Sequence, residues 1–417
     1  MEDTGVKKLA MVLGAGKGQI PIIDLCHKYN WNVLVVSTKG NYPGFEIAEY
    51  CEYIDVRNKE EVLNIAKKYK IDAILSDQLD EAVPTMAYVS EKMGLCGIPY
   101  KVAIKLRDKK IMKEEAHKVG INTAKFCVIS LVEEALKEVE NLKFPVIVKP
   151  ADSSASRGVC KVDSIDELAQ CIQIAKQYSR NGKIIIEEYI QGRYFSVDAF
   201  AYNGKFTNLD IGYVHNFNSI DQFISKETIN VNVLDAVSDP IAKKVLDTNK
   251  ALFEAFQYSF GIAHAEYVVD ENETVYLIEA AGRGGGGNIS SDLVPAATGI
   301  QIIELYVRKM LGMEIDENLI ISKKAAGNLF FLLPEGIIKE VEGKEEILQI
   351  PEVFKSFLDD IEVGNSTKGI KDKSSRNGPI LYTAETFDEC RSCVEKIKKI
   401  LKVKVLTDKG MVNAIWD

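Results

Sequence analysis

Residues 264–283, HAEYVVDENETVYLIEAAGR, are typical of two apolar strands joined by a polar turn. A turn at residues 271–274 places three pairs of residues opposite each other: Val268 with Leu277, Tyr267 with Ile278, and Glu266 with Glu279. Directly opposed residues have Cβ atoms about 4.5–5.5 Å apart. Two carboxylates at that distance repel each other, and a divalent cation such as Mg²⁺ relieves the repulsion. The hairpin therefore predicts a metal site at Glu266 and Glu279, unless a slip of one residue turns one carboxylate to solvent.

The residues after the second strand are rich in glycine. Residues 282–287 read GRGGGG, and consecutive glycines let the backbone approach a ligand closely. Arg283 adds a permanently charged guanidinium, which can hold an anionic oxygen through two hydrogen bonds. A flexible surface loop is the alternative, but the position directly after the carboxylate hairpin favours a binding loop.

Two lysines stand where a phosphate could be bound. Lys149 ends the apolar strand FPVIVKP, directly before a polar loop at residues 152–158. Lys109 opens a charged helix, although Lys110 and Lys113 are close enough to compete for its role. A lysine supplies a point charge for phosphate, and a loop of serine and glycine supplies N–H and hydroxyl donors. Either lysine taken alone is equally typical of a solvated surface.

A further apolar strand, IIIEEYI at residues 184–190, breaks off before Gly192. Such a strand end can present backbone donors and acceptors to the edge of a purine. An ordinary strand ending is the alternative, and the strand alone does not distinguish the two.

The first hundred residues alternate short apolar strands with helical patterns, which predicts a doubly wound parallel sheet. Residues 14–18, GAGKG, follow the first strand and favour either a tight strand-to-helix turn or a dinucleotide site. A dinucleotide site would need an acidic residue at the end of the second strand, but that strand ends at residues 35–38, VVST. The tight turn is therefore the preferred interpretation.

Composition and charge exclude several classes of protein. A hydrophobic content of 46% excludes a disordered chain, and the net charge of −9 gives no indication of a nucleic-acid partner. The apolar runs are too short to span a bilayer, and the N-terminus lacks the pattern of a signal peptide. The eight cysteines are scattered, as is typical of reduced thiols in the cytoplasm. Cys390 and Cys393 fall in an amphipathic helix, which predicts core packing rather than zinc binding.

In this order, the lysines, the polar loop, the strand end, the carboxylate hairpin and the arginine resemble the ATP-grasp superfamily, in particular carboxylate–amine ligases similar to biotin carboxylase and amino-acid ligases. The resemblance covers essentially the whole chain and implies a mixed α/β and α+β fold. Its parts are a Rossmann-like pre-ATP-grasp domain at residues 1–105, an ATP-grasp domain at 106–325 with a mobile lid subdomain at about 121–188, and a small C-terminal α/β lobe at 326–417.

The resemblance also implies roles for individual residues. Lys109 and Lys149 match the two lysines that contact the ATP phosphates, and Arg283 matches the arginine beside the reacting acyl phosphate, so that Lys149 and Arg283 are expected to act in catalysis. Glu266 and Glu279 match the carboxylates that bind Mg²⁺, with Mn²⁺ as an alternative ion. The loop over the phosphates and the hinge around adenine and ribose supply the other predicted nucleotide contacts: Ser153, Ser154, Ser156, Gly158, Glu187, Glu188, Ile190 and Tyr194.

One position departs from the family pattern. The motif E-x-N-x-R reads EAAGR at residues 279–283, so Ala281 replaces the asparagine that normally completes metal coordination. Asn288 lies too far along the chain to be assumed as its substitute. One metal ion is therefore expected to bind more weakly or to take a ligand from elsewhere.

The implied activity is an ATP-dependent ligation of a carboxylate to an amine through an acyl phosphate, which releases ADP and phosphate. An amino-acid or peptide ligase is the preferred subclass, and a carboxylase-like or purine-biosynthesis-type enzyme that activates bicarbonate or another small acid is the alternative. Two other classes stay open: a Rossmann-type dehydrogenase and an ATP-binding protein without turnover. The expected partners are small-molecule carboxylate and amine substrates, and a homodimer is a further option.

Overall fold

The computed structural model describes residues 7–153, 156–219, 223–316, 319 and 321–417. Within these residues the strands form four β-sheets. Helices cover the sheets, and the candidate site residues lie where three parts of the chain meet. No helix in the described part of the chain is long and apolar enough to cross a membrane.

The N-terminal part is a four-stranded parallel sheet with helices around it. Its elements are β1 (Leu9–Leu13), α1 (Ile20–Lys28), β2 (Asn32–Ser37), α2 (Gly44–Ile47), β3 (Tyr50–Tyr53), α3 (Lys59–Tyr69), β4 (Ala73–Leu75), α4 (Val83–Met93) and α5 (Tyr100–Arg107). The strand order is β3-β2-β1-β4. Residues 10–13 and 33–36 are completely buried, as expected for the inner strands of a sheet covered on both faces. Gly14 turns the chain out of β1 with a φ of +96°.

A second part contains a four-stranded antiparallel sheet, which we call the lid sheet. The elements here are α6 (Lys109–Lys118), β5 (Asn122–Thr123), β6 (Phe126–Ile129), α7 (Val132–Glu138), β7 (Val146–Pro150), β8 (Cys160–Val162), α8 (Ile165–Tyr178) and β9 (Ile184–Glu188). The lid sheet has the order β6-β9-β7-β8, and α8 buries Leu168, Ile172 and Ala175 in its core.

The remaining residues form a nine-stranded central sheet and a small four-stranded sheet. The elements up to residue 310 are β10 (Arg193–Tyr202), β11 (Lys205–Asn216), β12 (Ser225–Asn232), α9 (Val233–Ala236), α10 (Pro240–Ala255), β13 (Gly261–Val269), β14 (Val275–Ala281), α11 (Val294–Thr298) and α12 (Ile302–Met310). The elements after it are β15 (Ala325–Phe331), β16 (Gly336–Glu342), β17 (Val353–Ser356), β18 (Ser366–Thr367), β19 (Asn377–Ala384), α13 (Phe387–Ile400), β20 (Lys402–Thr407) and β21 (Gly410–Asn413). The central sheet has the order β17-β19-β15-β12-β11-β10-β13-β14-β5, and the small sheet has the order β18-β16-β20-β21.

The central sheet contains strands that precede residue 325 and strands that begin at or after it, since β12 pairs with β15. The short strand β5 also belongs to the central sheet, through parallel pairing with β14. The domain limits at residues 105 and 325 and the lid limits at 121 and 188 therefore stay predictions. The helical cysteines Cys390 and Cys393 are buried on α13, as predicted.

The β13–β14 hairpin places Glu266 opposite Glu279, as predicted. Its outer half has a different register: Tyr267 pairs with Leu277, Val268 with Tyr276 and Val269 with Val275. The predicted pairs of Tyr267 with Ile278 and of Val268 with Leu277 are therefore wrong by one residue. The Asp270 carboxylate closes a tighter turn by accepting a hydrogen bond from the N–H of Thr274 (2.8 Å). A β-bulge next to Glu266 then restores the register at the two carboxylates.

Candidate active site

A cavity of about 490 Å³ lies between the lid sheet, the central sheet and the end of β4. That volume is within the range of small-molecule sites. The predicted site residues that line it are Lys109, Lys149, Ser153, Ser156, Glu187, Glu188, Ile190, Tyr194, Glu266, Glu279 and Arg283. Gly158 is not among the lining residues, and Ser154 lies outside the described residues.

The two hairpin carboxylates line the cavity, and each has a cationic neighbour. The Nζ of Lys109 donates a hydrogen bond to Glu279 Oε1 (2.8 Å) and another to the carbonyl of Ser153 (3.1 Å). The Nζ of Lys373 lies 3.9 Å from Glu266 Oε1. The Lys373 charge is the largest influence on Glu266, and together with His264 it holds the pKa of that carboxyl well below its usual range. Glu266 therefore presents an ionised carboxylate to the cavity.

The donor set at Glu266 and Glu279 fits Mg²⁺. No cluster of three or more histidine, cysteine, aspartate or glutamate side chains able to hold a metal is found in the described ranges. Two opposed carboxylates with phosphate and water as further ligands are a normal environment for Mg²⁺. Ala281 pairs with His264 across the hairpin. The side chain of Asn288 donates to Asp292 instead (2.9 Å) and does not line the cavity.

Glu187, on β9 of the lid sheet, lies between two lysines. The Nζ of Lys149 is 2.5 Å from Glu187 Oε1, and the Nζ of Lys113 is 2.8 Å from Glu187 Oε2. Burial opposes the negative charge, but the two ammonium groups lower the pKa of Glu187 to about 2. The sequence analysis did not assign a role to Lys113, although its position one helical turn after Lys109 on α6 was a usable signal.

Arg283 is held by a residue from the N-terminal part that the sequence analysis missed. Asp80 accepts hydrogen bonds from Arg283 Nε (2.7 Å) and Nη2 (3.0 Å). Burial opposes the guanidinium charge, but the Asp80 carboxylate raises the pKa of Arg283 above its usual range. The N–H of Gly284 donates to Asp77 Oδ1 (2.6 Å), which ties the glycine-rich loop to the end of β4. The carboxyl end of a parallel strand, where ligands commonly bind, was the available signal for Asp77 and Asp80.

A polar cluster lies on the central sheet beside the two carboxylates. His264 Nδ1 is 3.1 Å from Asp198 Oδ1. Burial disfavours the charged imidazole, but Asp198 outweighs it and raises the pKa of His264 to about 9. Asp210 pairs with Asp198 across the neighbouring strand and accepts a hydrogen bond from Asn230 (3.0 Å). Burial, and then the Asp198 charge, raise the pKa of Asp210 well above its usual value.

Arg376 is a second arginine of the cavity, and the sequence analysis missed it. Its guanidinium lies 3.8 Å from the centre of the Phe330 ring and donates to Ser225 Oγ (2.9 Å). It makes no ion pair with a carboxylate in the described part of the chain, and burial lowers the pKa of Arg376 to about 10. A desolvated guanidinium of this kind is a suitable partner for an anionic group of a ligand.

The predicted adenine hinge comprises the end of β9 and the residues that follow it. The N–H of Glu188 donates to the carbonyl of Lys125 (2.9 Å), and the N–H of Tyr189 donates to the carbonyl of Pro145 (2.9 Å). The Glu188 carboxylate accepts a hydrogen bond from the N–H of Lys143 (3.0 Å). Glu188 therefore uses its N–H and carboxylate in contacts with neighbouring backbone groups, and it lines the cavity together with Ile190 and Tyr194. Burial raises the pKa of the Tyr194 hydroxyl.

Known proteins resemble this chain in sequence and in fold. Residues 142–292 match the model of the ATP-grasp domain. The chain is 25% identical over 317 residues to formate-dependent phosphoribosylglycinamide formyltransferase of Methanocaldococcus jannaschii. This alignment covers 74% of this chain and 78% of that protein. It is also 25% identical over 294 residues to L-arginine-specific L-amino acid ligase of Bacillus subtilis, and this alignment covers 69% of each protein.

The structure of an L-amino acid ligase from Bacillus licheniformis superimposes with a TM-score of 0.79 at 22% identity, over 95% of this chain and 98% of that chain. This likeness confirms the predicted mixed α/β and α+β fold class. The match of residues 142–292 to the domain model identifies an ATP-grasp domain in this part of the chain, in agreement with the resemblance found in the sequence.

Proposed function

We propose that this protein is an ATP-dependent carboxylate–amine ligase that forms an amide or peptide bond through an acyl phosphate. The observation that carries this proposal is that one cavity brings together two lysines, two opposed carboxylates and an arginine. This set suits the binding and transfer of a phosphoryl group, because such a transfer depends mainly on charge neutralisation and alignment. The similarity to an L-amino acid ligase supports a reaction of this class.

The proposed reaction has two steps. A carboxylate oxygen of the acid attacks the γ-phosphorus of ATP, the bond to the bridging oxygen breaks, and ADP leaves. The amine nitrogen then attacks the acyl carbon of the acyl phosphate, inorganic phosphate leaves, and the nitrogen loses a proton. No covalent bond to the enzyme is required.

The side chains of the cavity have separate tasks in this scheme. Lys109 and Lys149 neutralise phosphate oxygens, and Arg283, held by Asp80, faces the oxygens that gain charge during transfer. Mg²⁺, or alternatively Mn²⁺, bound at Glu266 and Glu279 would supply further charge neutralisation on the phosphates.

The loop at residues 152–158 is proposed to cover the phosphates and exclude water. Its first residues are tied to the helices below it, because Arg107 Nη2 donates to the carbonyl of Asp152 (2.7 Å) and Lys109 donates to the carbonyl of Ser153 (3.1 Å). This contact places the loop within reach of the lysine that opens α6. Exclusion of water would protect an acyl phosphate from hydrolysis.

An amino acid is the preferred acid substrate. Arg376 and Lys373 bring positive charge to the cavity from the C-terminal part of the chain, which suits an anionic substrate. The likeness to amino-acid ligases supports this choice.

A second candidate is a small acid such as formate or bicarbonate. The similarity to a formate-dependent formyltransferase, which spans 78% of that protein, favours this alternative. The chemistry at the phosphates would be the same, and the two candidates differ only in the acid.

The proposal is tested with panels of acids and amines. Purified protein with Mg²⁺ and ATP is expected to release ADP and phosphate only when a productive acid and amine are both present. Release with formate or bicarbonate but with no amino acid would select the second candidate. If no combination of acid and amine from the two panels releases ADP and phosphate, the proposed ligase activity is contradicted.

The carboxylate pair is tested by substitution. Glu266→Gln and Glu279→Gln are each expected to lower turnover by at least about a hundredfold, because each removes an anionic metal ligand. Glu271→Gln is the matched control, since it alters an exposed carboxylate at the turn of the same hairpin. Parental turnover in both site variants would refute the assignment of the metal site.

A further inference from the structure

Lys113 is a buried lysine to which the proposed reaction gives no task. Its side chain is 0% exposed, and it is not among the described residues that line the cavity. Its Nζ lies 2.8 Å from Glu187 Oε2 and 5.7 Å from the centre of the Phe126 ring. Burial of an ammonium group is unfavourable unless an opposite charge compensates it, so we do not expect Lys113 to serve only as a packing residue.

Glu187 holds one lysine on each of its two oxygens. In the pairing of β7 with β9, Ile147 lies opposite Glu187, so Lys149, two residues further along β7, is a diagonal neighbour on the same face. Lys149 and Glu187 both line the cavity, whereas Lys113, on α6, is not among the described lining residues. One carboxylate with two ammonium groups carries an excess positive charge. One of the two lysines can therefore leave without stranding a buried negative charge.

We infer that Lys113 is a positioning residue, which keeps Glu187 neutralised so that Lys149 is available to the phosphates of a nucleotide. This inference rests on the proposed function, because the phosphates are the ligand assigned to Lys149 there. Without Lys113, Lys149 is the sole partner of Glu187 inside the lid. Transfer of Lys149 to a phosphate then leaves a carboxylate that is 4% exposed without a counter-charge, which is strongly unfavourable.

The experiment compares the binding of ATP with that of adenosine, which has no phosphates. Lys113→Met keeps most of the side-chain length and removes its charge. Calorimetric titration of the full chain in the presence of Mg²⁺ is expected to show ATP binding at least about tenfold more weakly, and adenosine binding as in the parent. A purely structural role would weaken both ligands alike. Equal losses, or an unchanged affinity for ATP, overturn the inference.

Removal of the carboxylate gives a second comparison. In a Glu187→Gln background, Lys113→Met is expected to leave the ratio of ATP to adenosine affinity unchanged, because Lys149 no longer has a carboxylate to satisfy. Lys118→Met is the control on the same helix, since that side chain is 70% exposed and pairs with Glu115.

The double variant also decides the matter if the single Lys113→Met protein does not fold. A further loss of ATP affinity in the double variant, relative to Glu187→Gln alone, overturns the inference. A parent protein that binds no ATP refutes the proposed function itself and removes the basis of this inference. The two failures are therefore distinguishable.

Discussion

The lowered pKa of Glu187 allows the buried lysine pair to be tested through protein stability alone. Burial opposes ionisation of this carboxyl, but Lys113 and Lys149 lower its pKa from the ordinary value of 4.5 to about 2. A carboxyl whose pKa is lower in the folded state stabilises that state above the unfolded pKa, and this stabilisation is lost as the pH falls through the folded pKa. A difference of about 2.5 units corresponds to about 3 kcal/mol at neutral pH.

Glu187→Gln, combined with Lys113→Met, removes this titration and also removes the buried ammonium group whose pKa burial lowers. We expect the free energy of unfolding of the parent to fall relative to that of the variant by about 2 kcal/mol between pH 7 and pH 3, since about half of the contribution remains at pH 3. Urea unfolding followed by circular dichroism at several pH values measures this difference. Glu188→Gln is the control, because it removes the adjacent carboxylate and leaves the ion pairs of Glu187 with Lys113 and Lys149 intact. A difference in the free energy of unfolding between the parent and the double variant that is constant from pH 7 to pH 3 would refute the reasoning.

Two further predictions concern the loop that carries the arginine. Gly284→Ala is expected to abolish most turnover, because the added Cβ would lie 2.2 Å from Ser290 Oγ and 2.7 Å from Asp77 Oδ1. Parental turnover of this variant in a phosphate-release assay would contradict this. Asp80→Asn is expected to lower turnover about tenfold or more, because hydrogen bonds to a charged group are worth about 1.5–3 kcal/mol and the carboxylate orients Arg283. Parental steady-state kinetics in that variant would show that the guanidinium is oriented by other contacts.

The prediction of the carboxylate pair depended on two local features that compensate each other. The polar turn is one residue tighter than the sequence pattern indicates, because Asp270 accepts a hydrogen bond from the N–H of Thr274. Ile278 then bulges out of the pairing, and Glu266 again lies opposite Glu279. Both the capped turn and the bulge depend on local hydrogen bonds. The alternation of apolar and polar residues along a strand does not reveal such bonds.

Residues that the sequence analysis missed come from distant parts of the chain. Asp80 reaches Arg283 across a separation of 203 residues, and the contact of Arg376 with Ser225 spans 151 residues. Neither residue belongs to a motif, and each resembles an ordinary charged surface residue when taken alone. Their importance arises from burial beside an opposite charge or a ring. The assigned ligand roles of Lys109, Lys149 and the hinge residues stay predictions until nucleotide binding is measured.

Patterns within short segments were sufficient to recognise the parallel sheet of the N-terminal part, the apolar hairpin with its paired carboxylates, and the lysines that end a strand and open a helix. Such features follow from side-chain periodicity and backbone chemistry, which act over a few neighbouring residues. The second lysine at Glu187, which is Lys113, and the partners of Arg283 and Arg376 could be assigned only after the chain was folded. Their contacts join segments far apart in sequence, and the energy of a charge depends on what surrounds it once water has been excluded.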